Sequence, residues 1–223
     1  MTRNFIIGLD LGQAQDYTAT SIIEMVKEGG TWDYHVGQLE RVRGMPYPDV
    51  VTRIESIATG LWELSGDYPQ ARQPPALVID ATGVGKPVFD MFEHVRVLKG
   101  WVKPVGILIH GGDRVTNEGR IYRTPKRDLV AVLQVLLQND RLKIAKVDLR
   151  DTLKQEMLNL RQKIDPETAH DSYSAWRERD HDDLVLAVAL ACWYGEIKLR
   201  KQHQSPLQSA NRLVKRNLFV RGV

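Results

Sequence analysis

Three apolar stretches of this sequence border carboxylates. Asp10 ends one such stretch, Asp80 directly follows a second, and the pair Asp182 and Asp183 opens a third. A carboxylate beside buried apolar residues costs several kcal/mol unless a cation or a hydrogen-bond donor offsets its charge. These four residues are therefore the first candidates for chemistry.

Carboxylates that converge repel one another, and hard divalent cations with oxygen ligands offset that repulsion. Two such ions about 3.5–4 Å apart activate a water and stabilise the leaving oxygen when a phosphodiester is hydrolysed. Mg²⁺ or Mn²⁺ suits carboxylate ligands, whereas zinc prefers His and Cys, of which the chain has 6 and 1. A convergent set of Asp10, Asp80 and one of the pair Asp182 and Asp183 thus predicts a two-metal hydrolytic site.

Each carboxylate also has a structural explanation. Asp10 can close a turn with the glycine that follows, and Asp80 can form an Asx turn that leads into a helix. Asp182 and Asp183 can stabilise the first turn of a helix through its dipole. Only the combination of the three positions favours a metal site, and their spacing does not prove that they converge.

Hydrophobic periodicity predicts the elements that position these side chains. Alternation over residues 5–11 predicts a strand with Phe5, Ile7, Leu9 and Leu11 on one face and Ile6, Gly8 and Asp10 on the other. Further strands are expected at 19–25, 32–39, 76–79 and 101–109, and helices at 48–64, 85–94, 125–139, 149–164 and 182–199. Residues 111–123 are polar and contain glycine, which predicts an exposed hairpin or loop. This order predicts a mixed α/β fold with helices packed on a sheet.

Composition limits the function classes. The 223 residues are 43% hydrophobic and 26% charged, as expected of a globular domain. The single cysteine, Cys192, excludes an internal disulfide and lies in an apolar run, 184–193, that is shorter than the ~20 residues of a membrane span. The sequence shows no signal peptide, so a reducing cytoplasm and no membrane contact are expected.

Charge is distributed unevenly between the body and the C-terminal end. Residues 198–223 hold seven of the 31 Lys and Arg residues and none of the 28 acidic ones, so residues 1–197 carry 24 basic and 28 acidic residues, a net of −4. We therefore expect one globular domain at 1–197 and a flexible basic tail at 198–223. Such a tail binds an anionic partner or simply keeps the protein in solution.

Four segments can be compared with known motifs. They read Ile6-Ile7-Gly8-Leu9-Asp10-Leu11-Gly12, Val78-Ile79-Asp80-Ala81-Thr82-Gly83-Val84-Gly85, Thr124-Pro125-Lys126-Arg127-Asp128-Leu129, and His181-Asp182-Asp183-Leu184-Val185-Leu186-Ala187. In this order, and together with Arg141-Leu142-Lys143-Ile144, they resemble the nuclease domain of phage large terminase subunits. The resemblance touches most of residues 4–195.

The resemblance implies a ribonuclease H-like fold, a mixed sheet with helices on both faces. It implies a Mg²⁺- or Mn²⁺-dependent endonuclease that cleaves double-stranded DNA with two metal ions during genome packaging, in the cytoplasm of an infected host cell. Asp10, Asp80 and Asp183 match the catalytic metal-ligand positions, with Asp10 bridging both ions, and Asp182 matches a position that is acidic in only some relatives. Large terminase subunits also carry an ATPase domain, so the resemblance implies either an isolated nuclease domain or an ATPase on another chain. The implied protein partners are a separate packaging ATPase, a portal or a small terminase protein.

Cations near the third motif are candidates for phosphate contacts, which position a duplex without reading its sequence. They are Arg114, Arg120, Arg123, Lys126 and Arg127; a solvated charged loop is the other explanation. The segment Gly83-Val84-Gly85-Lys86 is not a nucleotide site, because Pro87 stands where a phosphate-binding loop has Ser or Thr. No nucleotide is therefore expected.

Three other interpretations remain open. A Holliday-junction resolvase of the same fold would use the same carboxylates. An actin-like ATPase would share the segment 8–12, but it needs two such domains. A non-catalytic DNA-binding module would keep the fold without the chemistry.

Overall fold

A mixed sheet carries helices on both faces in the part of the chain that the computed structural model describes, residues 2–12, 16–65, 73–83, 85–94, 102, 104–163 and 182–219. The strands are β1 (Thr2–Asp10), β2 (Tyr17–Glu28), β3 (Thr31–Arg43), β4 (Ala76–Asp80), β5 (Pro104–His110), β6 (Thr116–Glu118), β7 (Ile121–Pro125) and β8 (Leu142–Ile144). The helices are α1 (Tyr47–Ser65), α2 (Gly85–His94), α3 (Lys126–Gln138), α4 (Arg150–Lys163) and α5 (Asp183–Phe219).

The spatial order of the strands is β6-β7-β5-β4-β1-β2-β3-β8, so β1 is a central strand. It pairs antiparallel with β2, where Asp10 lies opposite Ala19, and parallel with β4. β4 pairs parallel with β5, which pairs parallel with β7, while β2 and β3 form an antiparallel hairpin. The carboxyl ends of β1 and β4 therefore meet at one edge of the sheet, as parallel neighbours must.

The predicted alternation of β1 is confirmed by the two cores that its faces enter. Phe5, Ile7 and Leu9 are buried with apolar residues of α1 and α2, whereas Ile6 is buried on the opposite face with α3, α4 and α5. The mixed sheet with helices on both faces that the sequence predicted is confirmed.

Gly8 lets α5 approach the centre of the sheet. A Cβ atom at Gly8 would lie 2.0 Å from the carbonyl oxygen of Ala187 and 2.8 Å from Ser21 Oγ. The Ser21 hydroxyl donates to that same carbonyl at 3.0 Å, and both residues are fully buried. This contact lies one turn after the start of α5, so it fixes the start of the helix against β1.

Two elements extend further than the sequence predicted. The polar stretch 111–123 does form a hairpin, but its second strand, β7, also enters the main sheet beside β5. The helix expected to end at residue 199 continues to Phe219, so most of the predicted tail has helical backbone. Leu199 is buried and Lys201 donates to the Tyr122 hydroxyl at 2.6 Å, so the first residues after 198 pack on the body. The predicted mobility of 198–223 stays a prediction.

None of the helices in the described part of the chain has the length and apolarity that crossing a membrane requires.

Candidate metal centre

The sheet edge formed by β1 and β4 brings two of the predicted carboxylates together. Asp10 is the last residue of β1 and is partly buried, and Asp80 is the last residue of β4 and is 8% exposed. Asp80 Oδ1 accepts a hydrogen bond from the Thr82 amide at 2.8 Å, so the Asx turn considered from the sequence is present. Gly85 allows α2 to begin directly behind it, since a Cβ there would lie 1.9 Å from the Asp80 carbonyl oxygen.

The start of α5 brings in the other two carboxylates. In the first turn of α5, the backbone amides of Leu184 and Val185 both donate to Glu156 Oε2 at 3.0 Å. Glu156 belongs to the neighbouring helix α4. Glu156 thus satisfies amides that a helix start leaves without intrahelical partners. The side chains of Asp182 and Asp183 contact cations instead, so the capping role that their position suggested is carried out by Glu156.

Asp10 lies within electrostatic range of the other three aspartates. Burial raises the pKa of Asp10 well above its usual value, and the negative charges of Asp80, Asp182 and Asp183 raise it further. Lys126 lowers the pKa of Asp10. The like charges of Asp80, Asp182 and Asp183 thus disfavour ionisation of Asp10, and the negative charge of the site attracts cations.

Two basic side chains already lie against the aspartates. Arg41 of β3 donates through Nη2 to Asp183 Oδ2 at 2.6 Å, and its Nη1 lies 3.6 Å from Glu156 Oε1. On the other side, Lys126 Nζ lies 3.3 Å from Asp182 Oδ2. The two cations and their aspartate partners are between 12% and 22% exposed, and Glu156 is 5% exposed, so water screens the pairs only partly.

Among the described residues, no group of three acidic, His or Cys side chains is arranged to hold a metal ion. The donor chemistry nevertheless fits a hard divalent ion, since four carboxylates lie at this position. Asp10, Asp80, Asp182 and Asp183 are thus brought together as predicted. Their roles as ligands stay a prediction, and His181 lies outside the described residues.

The five predicted DNA-contacting cations lie in different surroundings. Arg114 and Arg123 are exposed. Arg120 pairs with Glu93 and donates to the Pro104 carbonyl at 3.2 Å, and Arg127 pairs with Asp113 at 2.7 Å. Lys126 lies in the carboxylate cluster itself. DNA contact by any of them stays a prediction.

Sequence reasoning missed Arg41 and Glu156. Each sits on an element whose charged residues look like an ordinary solvent-facing pattern, and Glu156 falls within a helix that contains several other polar residues. Only burial distinguishes them: Glu156 is 6% exposed, and burial raises its pKa to about 7. A polar residue at an apolar helical position is the one signal that the sequence offered.

No family model matches the chain. No curated protein sequence matches it either.

Several solved nucleases are similar to the chain. The large terminase nuclease of thermophilic phage G20c, with bound zinc, is 21% identical with a TM-score of 0.43, over 85% of this chain and 80% of that one. The human cytomegalovirus terminase nuclease domain, Mn soaked and inhibitor bound, is 12% identical with a TM-score of 0.49, over 86% and 83%. Thermus thermophilus RuvC is 14% identical with a TM-score of 0.37, over 87% and 96%.

Proposed function

We propose that this chain is a metal-dependent endonuclease that hydrolyses double-stranded DNA with two divalent ions, Mg²⁺ or Mn²⁺, during viral genome packaging. The observation that carries the proposal is the electrostatic coupling of Asp10 to Asp80, Asp182 and Asp183 at one edge of the sheet. The acidic motifs that resemble terminase nucleases are the segments that supply these four residues.

Asp10, Asp80 and Asp183 would hold the ions, with Asp182 as a further ligand. Divalent ions held there supply Lewis acidity, which activates a water and stabilises the leaving oxygen of a phosphodiester. The resemblance gives Asp10 the bridging role, and all three other carboxylates raise its pKa. The protein fixes their mutual position through two strand ends and one helix start, which are more rigid supports than loops.

The substrate is proposed to lie across the same edge, where Arg114 and Arg123 present exposed guanidinium groups. Arg and Lys contacts to phosphate hold a duplex without sequence readout. The packaging ATPase, portal and small terminase protein remain the proposed protein partners, by resemblance alone.

Plasmid cleavage tests the proposal. We expect nicked and linear products with Mn²⁺ or Mg²⁺ and none with excess chelator. Asp10→Asn, Asp80→Asn and Asp183→Asn should each remove nearly all cleavage, and Asp182→Asn should do less. Asp33→Asn is the matched control, because Asp33 lies near the start of β3, outside the aspartate cluster, and pairs with Lys143 at 2.6 Å.

Three results would contradict parts of this proposal. Robust cleavage in chelator would exclude the metal mechanism. Preferential cutting of a synthetic four-way junction over linear duplex would replace the packaging substrate with that of a resolvase. If Asp183→Asn cut normally while Asp182→Asn were inactive, the ligand within the pair would be Asp182.

A further inference from the structure

The guanidinium of Arg41 touches three groups beside the aspartate cluster. It donates to Asp183 at 2.6 Å and lies 3.6 Å from a Glu156 carboxylate oxygen. Its carbon Cζ lies 4.0 Å from the centre of the Tyr17 ring, an arrangement in which the aromatic face attracts the cation. The side chain is only 13% exposed, so these contacts are made largely out of water.

Arg41 is also in register with Asp10. Asp10 lies opposite Ala19 on β2, and Ala19 lies opposite Arg41 on β3, so all three share one row across the sheet. Two strand spacings separate the outer members, roughly 10 Å, which a long arginine side chain spans. The guanidinium therefore reaches the cluster from the β3 side, whereas Lys126 reaches Asp182 from the opposite side.

The bond to Arg41 occupies one of the two carboxylate oxygens of Asp183. A charge-assisted bond of 2.6 Å is short and strong, and it occupies a lone pair of Asp183 Oδ2. A divalent ion that approaches this carboxylate also meets the positive charge of the guanidinium at close range. Both effects oppose metal binding.

We propose that Arg41 is the internal counter-cation of this site: it pairs with Asp183 in the metal-free protein, and a divalent ion must break that pairing to bind the carboxylate. The inference rests on the proposed function. Because Glu156 and Tyr17 contact the guanidinium independently, Arg41 stays in place when Asp183 turns to the metal. The exchange therefore needs only a side-chain rotation.

Metal binding without DNA tests this directly. The melting temperature of metal-free protein is measured against MnCl₂ concentration, and the apparent Kd follows from the stabilisation. Arg41→Met should bind Mn²⁺ roughly tenfold or more tightly than wild type, since it loses a hydrogen bond between charged groups that competes with the ion. Arg53→Met is the matched control: it removes the same charge from an exposed ion pair with Glu40, and its Kd should stay within about twofold of wild type.

The outcomes separate competition from a merely structural role. If Arg41 only positioned Asp183, Arg41→Met would misplace the Asp183 carboxylate and Mn²⁺ would bind more weakly. Weaker or unchanged Mn²⁺ binding by Arg41→Met therefore overturns the proposal. If that variant does not fold, Arg41→Lys decides by the same criterion, with tighter binding expected because lysine lacks the planar fork. Wild type that shows no Mn²⁺ stabilisation would instead overturn the metal centre and, with it, this inference.

Discussion

Replacing Gly8 by alanine should separate α5 from β1 and disable the site without touching a charged residue. The added Cβ would lie 2.0 Å from the Ala187 carbonyl oxygen, where an ordinary carbon–oxygen contact needs about 3.3 Å. The carbonyl belongs to a helix backbone, so it moves only if the helix moves. We therefore expect α5 to shift by more than about 1 Å, and Asp183 with it.

The cost has two parts. Overpacking of a close core contact costs about 1–3 kcal/mol. The hydrogen bond from Ser21 to the Ala187 carbonyl, now 3.0 Å long, would stretch and lose about 1 kcal/mol. The sum, about 2–4 kcal/mol, corresponds to a fall in melting temperature of about 5–15 °C for a chain of this length.

Thermal melting without metal and single-turnover plasmid cleavage with Mn²⁺ would measure both effects. Cleavage should fall about 100-fold, because a 1 Å misplacement of a catalytic group has that consequence. Gly37→Ala is the control, since its Cβ would meet only the Ile22 carbonyl oxygen at 3.8 Å, an ordinary contact. A Gly8→Ala protein that melts with wild type would show that the close approach carries no strain. If Gly8→Ala lowers the melting temperature but cleavage is undiminished, the packing of α5 on β1 does not control catalysis.

The charges of the site and the basic end of the chain support four more predictions. Asp10→Asn should raise the melting temperature of the metal-free protein at pH 8, because burial and three carboxylates raise the pKa of Asp10 and its ionisation therefore destabilises the folded state; an unchanged or lower value would contradict this. Burial raises the pKa of Glu156 from 4.5 to about 7, so wild type should lose stability as pH rises through that interval, and denaturation from about pH 5 to 8 should show Glu156→Gln gaining about 3 kcal/mol on wild type. Deleting residues 203–223, which leaves the packed residues Leu199 and Lys201 intact, should weaken duplex binding and lower the log–log salt slope by up to ~0.9 for each phosphate that the shortened chain no longer neutralises; unchanged affinity at every salt concentration would exclude a DNA arm. ATP should be neither bound nor hydrolysed. ATP hydrolysis by wild type that disappears in Lys86→Ala would restore the interpretation of residues 83–86 as a nucleotide site.

The architecture could be predicted from the sequence because its patterns are local. The alternation of apolar residues in β1 and their helical periodicity in α1 and α3 show which face each element buries. Both patterns depend only on residues close together in the sequence. The length of α5 could not be predicted, because the apolar pattern stops near residue 199 while the backbone stays helical to Phe219. Nor did the sequence reveal that β7 would pair with β5, since its exposed and buried residues also fit a solvated hairpin.

Of the residues at the site, the sequence indicated mainly the four aspartates. Asp10 and Asp80 stand out because an apolar strand has little reason to end in a charge. Arg41 and Glu156 do not stand out, because charged residues on a long hairpin or a polar helix are usually solvated. Their importance arises from long-range contacts: Arg41 is 142 residues from Asp183, and Glu156 is 28 residues from Leu184. Such pairings depend on the assembled sheet and are absent from any local pattern.

The position of α5 in the chain has a consequence for synthesis in the cell. Asp10 and Asp80 are translated early, but α5, which packs on β1 and β2 and completes both the core and the acidic cluster, comes more than 100 residues after Asp80. A nascent chain therefore lacks its last carboxylates and much of its core until α5 has left the ribosome and docked. A chain with the proposed activity would thus gain it only after α5 has docked on the sheet.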